Sequence, residues 1–122
     1  MKLSYKAIVL VPAAALLLAA CQHSSRVTTG VLRVTPSSMA ACHPGAVVDV
    51  RWDASRHASV NTVLIYVGTG SSEKLFAEGG ATGDAKTGPW VRPGTVFTAK
   101  AKYSGNVLGT VTIAGPTCLS AG

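Results

Sequence analysis

The sequence predicts an all-β protein, a single small antiparallel β-sandwich of about six or seven strands. Short apolar runs alternate with period two, which favours strands with one buried face. Turn-forming residues separate these runs, and outside the N-terminus no long 3.6-residue pattern indicates a helix. The chain has 122 residues, a length that suits one packed core better than two.

The first element in the chain is an N-terminal export signal. Lys2 and Lys6 precede an apolar segment that is uncharged from Ala7 to Ala20, which is the outline of a signal peptide. The run is shorter than the about 20 apolar residues that a membrane-spanning helix needs. Its last residues and the cysteine that follows, Leu18-Ala19-Ala20-Cys21, resemble the lipobox of bacterial lipoproteins.

This resemblance implies a covalent lipid anchor. Residues 1–20 would be removed, and Cys21 would carry a diacylglycerol and an N-acyl chain, with no other cofactor expected. Several acyl chains hold a protein stably on a bilayer. Gln22 stands where an Asp tends to retain such proteins in the inner membrane, so the resemblance implies the outer membrane. The alternatives are a plain secreted protein and a single-pass anchor.

Residues 21–29 are polar after the cysteine and lack apolar periodicity, which predicts a tether between anchor and domain. Its flexible residues would span on the order of 15 Å. The tether therefore keeps the domain close to its bilayer.

The three cysteines predict one disulfide. If Cys21 carries the lipid, Cys42 and Cys118 remain as a pair near the start and end of the domain, in a compartment where disulfides persist. Closing a loop of this size is worth about 4–5 kcal/mol by the loop-entropy estimate. A metal site formed by Cys42-His43 with Cys118 or His57 lacks the usual ligand spacing, so no metal is expected.

The apolar runs give the predicted strands in chain order. Parity places Trp52 in the core with Val48 and Val50. It also places Tyr103 on the same side of its strand as Phe97, Ala99 and Ala101. The runs begin at Val31 and continue with Val47–Trp52, Asn61–Val67, Lys74–Glu78, Val96–Tyr103 and Val107–Ile113.

Glycine, proline and asparagine mark the reversals between these runs, because they supply the backbone angles that turns require. The predicted turns are His43-Pro44-Gly45, Gly68-Thr69-Gly70-Ser71, Gly79-Gly80, Arg92-Pro93-Gly94 and Ser104-Gly105-Asn106.

The stretch from Val48 to Val111 resembles bacterial immunoglobulin-like or fibronectin-III-like modules. The resemblance implies an immunoglobulin-like sandwich over residues 30–122 and informs fold more than activity. Cys42 and Cys118 do not fit the antibody pattern of a cysteine pair between central strands, so their bridge would join the two ends of the domain. The resemblance rests on Arg51-Trp52-Asp53-Ala54, residues 63–68, residues 74–77, residues 87–91 and residues 93–97.

Candidate binding residues are Trp90, Arg92, Lys100 and Lys102. Trp90 follows Gly88-Pro89, where an edge or loop aromatic would bind a sugar or a partner, although packing is the alternative role. Without the signal the chain has nine Lys and Arg against five Asp and Glu, a modest positive charge suited to lipid phosphates, peptidoglycan carboxylates or an acidic protein. A solvated polar face is the simpler interpretation of the lysines.

No catalytic constellation is predicted. Asp53, Ser55 and His57 lie within one short segment, which is simpler to interpret as a polar loop between strands than as a triad. Nucleic-acid binding has no motif to support it. We therefore expect a non-enzymatic, membrane-anchored interaction or structural module that meets an envelope protein, peptidoglycan or another glycan. The alternatives are a periplasmic inhibitor or immunity-type lipoprotein that blocks a hydrolase or toxin, and a small hydrolase.

Overall fold

The computed structural model describes residues 30–118, and within them the protein is an open two-layer β-sandwich. The predicted fold class is confirmed. The seven strands are β1 (Leu32–Thr35), β2 (Asp49–Asp53), β3 (Val63–Val67), β4 (Lys74–Gly79), β5 (Thr82–Lys86), β6 (Val96–Ala101) and β7 (Val107–Thr112).

Both sheets are antiparallel. One contains three strands in the order β1-β2-β5, and the other contains four in the order β4-β3-β6-β7. The helical structure within residues 30–118 is a 3₁₀ turn at Gly70–Ser72. In this part of the chain no helix has the length and apolar character needed to cross a membrane.

Six strands coincide with the predicted apolar runs, and β5 is the strand that periodicity does not predict. Its sequence, Thr-Gly-Asp-Ala-Lys, contains residues that are depleted in strands. It forms because every residue is paired with β2, from Lys86 opposite Asp49 to Thr82 opposite Asp53. Pairing with a central strand thus overrides weak local propensity.

The predicted side of Tyr103 is wrong. Strand β6 ends at Ala101, where the Gly105 N–H donates to the Ala101 carbonyl at 2.9 Å and reverses the chain. Tyr103 lies in this turn and is 83% exposed, so it lies outside the core that contains Phe97, Ala99 and Ala101. Period-two alternation ends where the strand ends.

The core lies between the sheets and is formed by alternate residues of both. Trp52 is 5% exposed, as its parity with Val48 and Val50 predicts, and its Nε1–H donates to the Gly80 carbonyl at 3.0 Å. The indole occupies space beside two glycines: a Cβ on Gly79 or Gly83 would lie 2.6 or 2.4 Å from Trp52 Cζ2. The other core residues are Leu32, Val34, Ala54, Val63, Ile65, Val91, Phe97, Ala99, Ala101 and Ile113.

The chain crosses from one sheet to the other after β1. The Met39 N–H donates to the Ala114 carbonyl, and the Ala114 N–H donates to the Ser37 carbonyl, both at 2.9 Å. The predicted disulfide is present nearby, joining Cys42 to Cys118 with 5.6 Å between their Cα atoms. It ties the long β1–β2 connection to the segment after β7.

Because the strands run antiparallel, their connections collect at two opposite ends of the sandwich. We call the end where Gly30 lies the entry end, and the other the distal end. The entry end contains Gly30 and residues 54–62, 80–81 and 102–106; the distal end contains residues 36–48, 68–73, 87–95 and 113–118.

The predicted signal peptide, residues 1–20, and the predicted tether, residues 21–29 with Cys21, lie outside the described residues. The domain boundaries given by the sequence therefore remain predictions.

Candidate functional site

Trp90 lies at the distal end in a segment fixed on both sides. Val48 and Thr87 are joined twice, since the Val48 N–H donates to Thr87 Oγ1 and the Thr87 N–H donates to the Val48 carbonyl, each at 3.0 Å. Ala46 and Val91 exchange two backbone hydrogen bonds of 2.9 and 3.1 Å. Thr87 and Val91 are buried, so the chain between them has little freedom to move.

The indole of Trp90 is packed on one side and open on the other. Its ring centroid lies 6.3 Å from that of Phe97 and 6.0 Å from that of Phe76, which meets it edge-on. Gly88 gives the ring room, because a Cβ there would lie 3.1 Å from Trp90 Cδ1. The residue is nevertheless 44% exposed.

A β-bulge brings Phe76 to this cluster. Ile65 pairs with Ala77 but Tyr66 pairs with Leu75, so Phe76 is the extra residue on β4. Leu75 consequently lies on the outer face and is exposed, whereas Phe76 is half-buried against the core. The bulge therefore supplies the support beneath Trp90.

Trp90 forms one wall of a shallow groove at the distal end. The groove has a volume of about 470 Å³, within the range of small-ligand sites. Its other polar groups are hydroxyls and one ammonium. The lining residues are Val67, Gly68, Thr69, Ser72, Lys74, Trp90, Gly94, Thr95 and Val96.

The three hydroxyl groups of the groove retain capacity for further hydrogen bonds. Ser72 Oγ donates to the Thr69 carbonyl at 2.7 Å and accepts from the Thr69 N–H at 3.4 Å, which leaves one lone pair able to accept. Thr95 Oγ1 accepts from the Arg92 N–H at 3.1 Å and remains able to donate. Thr69 is the N-cap of the 3₁₀ turn, and its hydroxyl remains able to donate. A hydroxyl-rich ligand would find both donors and acceptors here.

The four residues predicted to bind a partner do not form one patch. Arg92 is exposed at the distal end, two residues after Trp90. Lys100 and Lys102 come from the entry-end half of β6 and the turn after it, and each meets a carboxylate: Lys100 pairs with Glu73 at 3.0 Å, and Lys102 with Glu78 at 2.9 Å.

The environment of these lysines makes them poor ligand cations. Lys100 Nζ also lies 4.7 Å from the ring centroid of Tyr66, a cation–π geometry. The hydrogen bond that Lys102 donates to Glu78, and then the negative charge of Glu78, raise the pKa of Lys102. Both ammonium groups are therefore neutralised by partners within the fold.

A second depression, of about 520 Å³, lies on the outer face of the three-stranded sheet. Arg33 lies directly opposite Arg51, and Arg51 lies opposite Asp84. Arg51 Nε also contacts Asp49 at 3.2 Å, and Asp53 lines the same depression. Its charges of both signs lie close together, and its one aromatic, Trp52, is buried. The groove beside Trp90 is the better candidate, because it offers an exposed ring.

The Asp53 loop has the local structure of a turn. Asp53 Oδ1 accepts hydrogen bonds from the Ser55 N–H at 2.9 Å and from the Ser55 hydroxyl, and these bonds lower the pKa of Asp53. The His57 N–H donates to the Ala54 carbonyl. The carboxylate thus orients Ser55. In the described part of the chain no three His, Cys, Asp or Glu side chains are grouped as metal ligands.

Sequence reasoning selects Trp90 but misses the groove around it. Thr69 and Ser72 come from the β3–β4 connection and Lys74 is the first residue of β4, whereas Thr95 comes from the β5–β6 connection. Hydroxyl residues in predicted turns are the available signal, but the pairing of β3 with β6 is what brings the two connections together.

Comparison with known proteins adds no functional information: no protein-family model matches the chain, and no characterised protein or solved structure shows significant similarity to it.

Proposed function

We propose that the protein is a lipoprotein of the bacterial outer membrane that acts as a non-enzymatic binding module of the cell envelope. The observation that carries this proposal is the half-exposed indole of Trp90, held rigidly beside a groove at the distal end. A large apolar ring left open to solvent at a fixed position is typical of recognition surfaces.

The cysteines support the lipid anchor. The disulfide uses Cys42 and Cys118, which leaves Cys21, at the end of the lipobox, for the diacylglycerol and N-acyl chain. Export through this route also places the domain in a compartment where the disulfide forms and persists.

The direction of the strands supports a ligand on the side away from the membrane. The chain enters the sandwich at Gly30, and the groove lies at the opposite end. Strands of up to six residues separate the two ends by about 20 Å. A tether on the entry side would therefore present Trp90 toward the envelope space.

The strand order supports the immunoglobulin-like or fibronectin-III-like part of the proposal. Seven strands are divided into sheets of three and four, as in immunoglobulin constant domains. Here the fourth strand pairs with the third, whereas in those domains it belongs to the sheet of the first two. The likeness is in architecture, and the assignment of activity rests on the groove.

The first experiment tests the anchor and uses the full chain expressed in a diderm bacterium. We expect the native protein to have the mass of a triacylated Cys21 form and to fractionate with the outer membrane. Cys21→Ser is expected to lose both the lipid mass and the membrane association. A native protein without lipid in the soluble fraction would disprove the anchor.

The second experiment tests the groove. We expect the detergent-solubilised lipoprotein to co-sediment with isolated peptidoglycan sacculi, and Trp90→Ala to reduce the bound fraction about tenfold, as for an aromatic hot spot. Tyr103→Ala is the matched control, because Tyr103 is an exposed aromatic at the entry end. A binding site at Trp90 would be contradicted if Trp90→Ala and Tyr103→Ala reduced the bound fraction equally, or if neither variant reduced it.

A further inference from the structure

Three cations at or beside the distal end form no ion pair within residues 30–118. The distal end and the strand ends that adjoin it carry Lys74, Lys86 and Arg92. The two carboxylates in the same region, Asp49 and Glu73, are each held by another cation, Arg51 and Lys100 respectively. The carboxylates of this region are therefore already paired, whereas its three cations are left for a ligand.

Lys74 is the cation that belongs to the groove itself. It is the first residue of β4 and is exposed, and no carboxylate within residues 30–118 lies within ion-pair distance of its ammonium group. The neighbouring glutamate, Glu73, contacts Lys100 instead. An anionic group on a ligand would consequently meet a cation that no internal partner neutralises.

The remaining groups of the groove specify the rest of the ligand. The indole of Trp90 offers a flat apolar surface, which suits the C–H face of a pyranose ring. The hydroxyls of Thr69, Ser72 and Thr95 offer donors and acceptors to a ligand rich in hydroxyl and amide groups. One ring face, several hydrogen-bonding groups and one cation together match an acidic saccharide.

We propose that the groove binds a saccharide chain that carries carboxylates, an inference that rests on the proposed function. Trp90 stacks on a sugar ring of this chain, and Lys74 pairs with one of its carboxylates. Glycan strands of peptidoglycan have this chemistry once their peptides are removed, because each disaccharide then exposes a lactyl carboxylate. Binding makes and breaks no covalent bond in the saccharide or in the protein.

The test uses the full-length lipoprotein in detergent and two soluble probes of equal length. One is peptide-free peptidoglycan strands, and the other is a chitin oligosaccharide, which has the same backbone without the carboxylates. Binding is measured by calorimetry at low and high salt. We expect the acidic strands to bind about tenfold more tightly at low salt, and the difference to shrink at high salt because the ion pair is screened.

Two variants locate the interaction. Lys74→Gln is expected to weaken binding of the acidic strands about tenfold, to the level of the chitin oligosaccharide, and to leave the latter unchanged. Trp90→Phe, which keeps an aromatic ring on the Phe76–Phe97 cluster, is expected to weaken both probes. Thermal midpoints within a few degrees of the native protein would show that the variants are folded.

The inference is overturned if the two probes bind equally at low salt, or if Lys74→Gln binds the acidic strands as the native protein does. It is also overturned if sacculi bind through Trp90 but peptide-free strands do not. This last outcome would leave the proposed function standing and assign the ligand to the peptide part of the wall. Failure of sacculi to bind would instead remove the proposed function.

Discussion

At the scale of single residues, the two tryptophans show what determines whether a large ring is buried. Trp52 alternates with Val48 and Val50, and the space for its indole is left by Gly79 and Gly83. Trp90 follows Gly88-Pro89 in the β5–β6 connection. Because a connection has no alternating pattern of side chains, the sequence does not indicate whether this ring is buried or exposed. The pattern therefore predicts Trp52 correctly and leaves Trp90 open, because a loop residue is placed by tertiary contacts.

A methyl group at Gly83 is expected to destabilise the fold. Its Cβ would lie 2.4 Å from Trp52 Cζ2, so either the indole or β5 must shift. We expect Gly83→Ala to lower the free energy of unfolding by about 1–3 kcal/mol, measured by urea denaturation. Gly80→Ala is the matched control, since the nearest atom to its Cβ is 3.9 Å away. Equal stability of the two variants would show that Trp52 accommodates the methyl group.

At the scale of strands and connections, predictability follows the length of the alternating pattern. Strand β2 alternates buried and exposed residues, and β3 begins with a half-buried residue between two buried ones, but β6 buries Thr98 between Phe97 and Ala99. The sequence nevertheless locates all three strands to within a few residues. Strand β5 lacks an apolar alternation and exists through its pairing with β2. The bulge at Phe76 is also invisible in the sequence, because it depends on how β4 pairs with β3.

The β1–β2 connection is expected to position the Trp90 segment. A Cβ on Gly45 would lie 2.5 Å from the Pro89 carbonyl oxygen and 3.0 Å from Trp90 Cα. We expect Gly45→Ala to push Pro89 and Trp90 outward, which weakens sacculus binding and shifts tryptophan fluorescence to longer wavelength. Gly30→Ala, with no atom within 4 Å of its Cβ, should leave both unchanged. Native fluorescence and binding in Gly45→Ala would refute this coupling.

At the scale of the whole molecule, residues 30–118 form one β-sandwich in which a disulfide joins the β1–β2 connection to the segment after β7. Period-two runs, turn residues and chain length predict the sandwich, and the number of cysteines predicts the pair. The groove escapes such reasoning, because Lys74, at the start of β4, and Thr95, in the β5–β6 connection, are brought together by the pairing of β3 with both β4 and β6. The pairing of Lys100 and Lys102 with glutamates likewise depends on which strands become neighbours.

The disulfide is expected to contribute a large share of stability. It closes a loop across a sequence separation of 76, which restricts the unfolded chain. We expect the double variant Cys42→Ser, Cys118→Ser to lose about 2–5 kcal/mol of unfolding free energy, measured by urea denaturation without reductant. A thiol reductant should lower the unfolding free energy of the native protein to that of the double variant, and it should leave the unfolding free energy of the double variant unchanged. Native stability in the variant would show that the closed loop contributes little.

The disulfide also determines how the domain responds to mechanical force. Residues 42–118 form a closed covalent ring that contains the groove, whereas β1 lies outside it. Consider a force applied between residue 30 and a ligand bound to Trp90. At Cys42 this force is shared between two paths to Trp90: one runs along the chain from Cys42, and the other crosses the disulfide to Cys118 and runs back to Trp90. The shorter path, from Trp90 to Cys118, then limits how far a ruptured domain can lengthen. A domain closed by such a ring lengthens less under tension, even after its sheets have separated, than the same chain without the disulfide would.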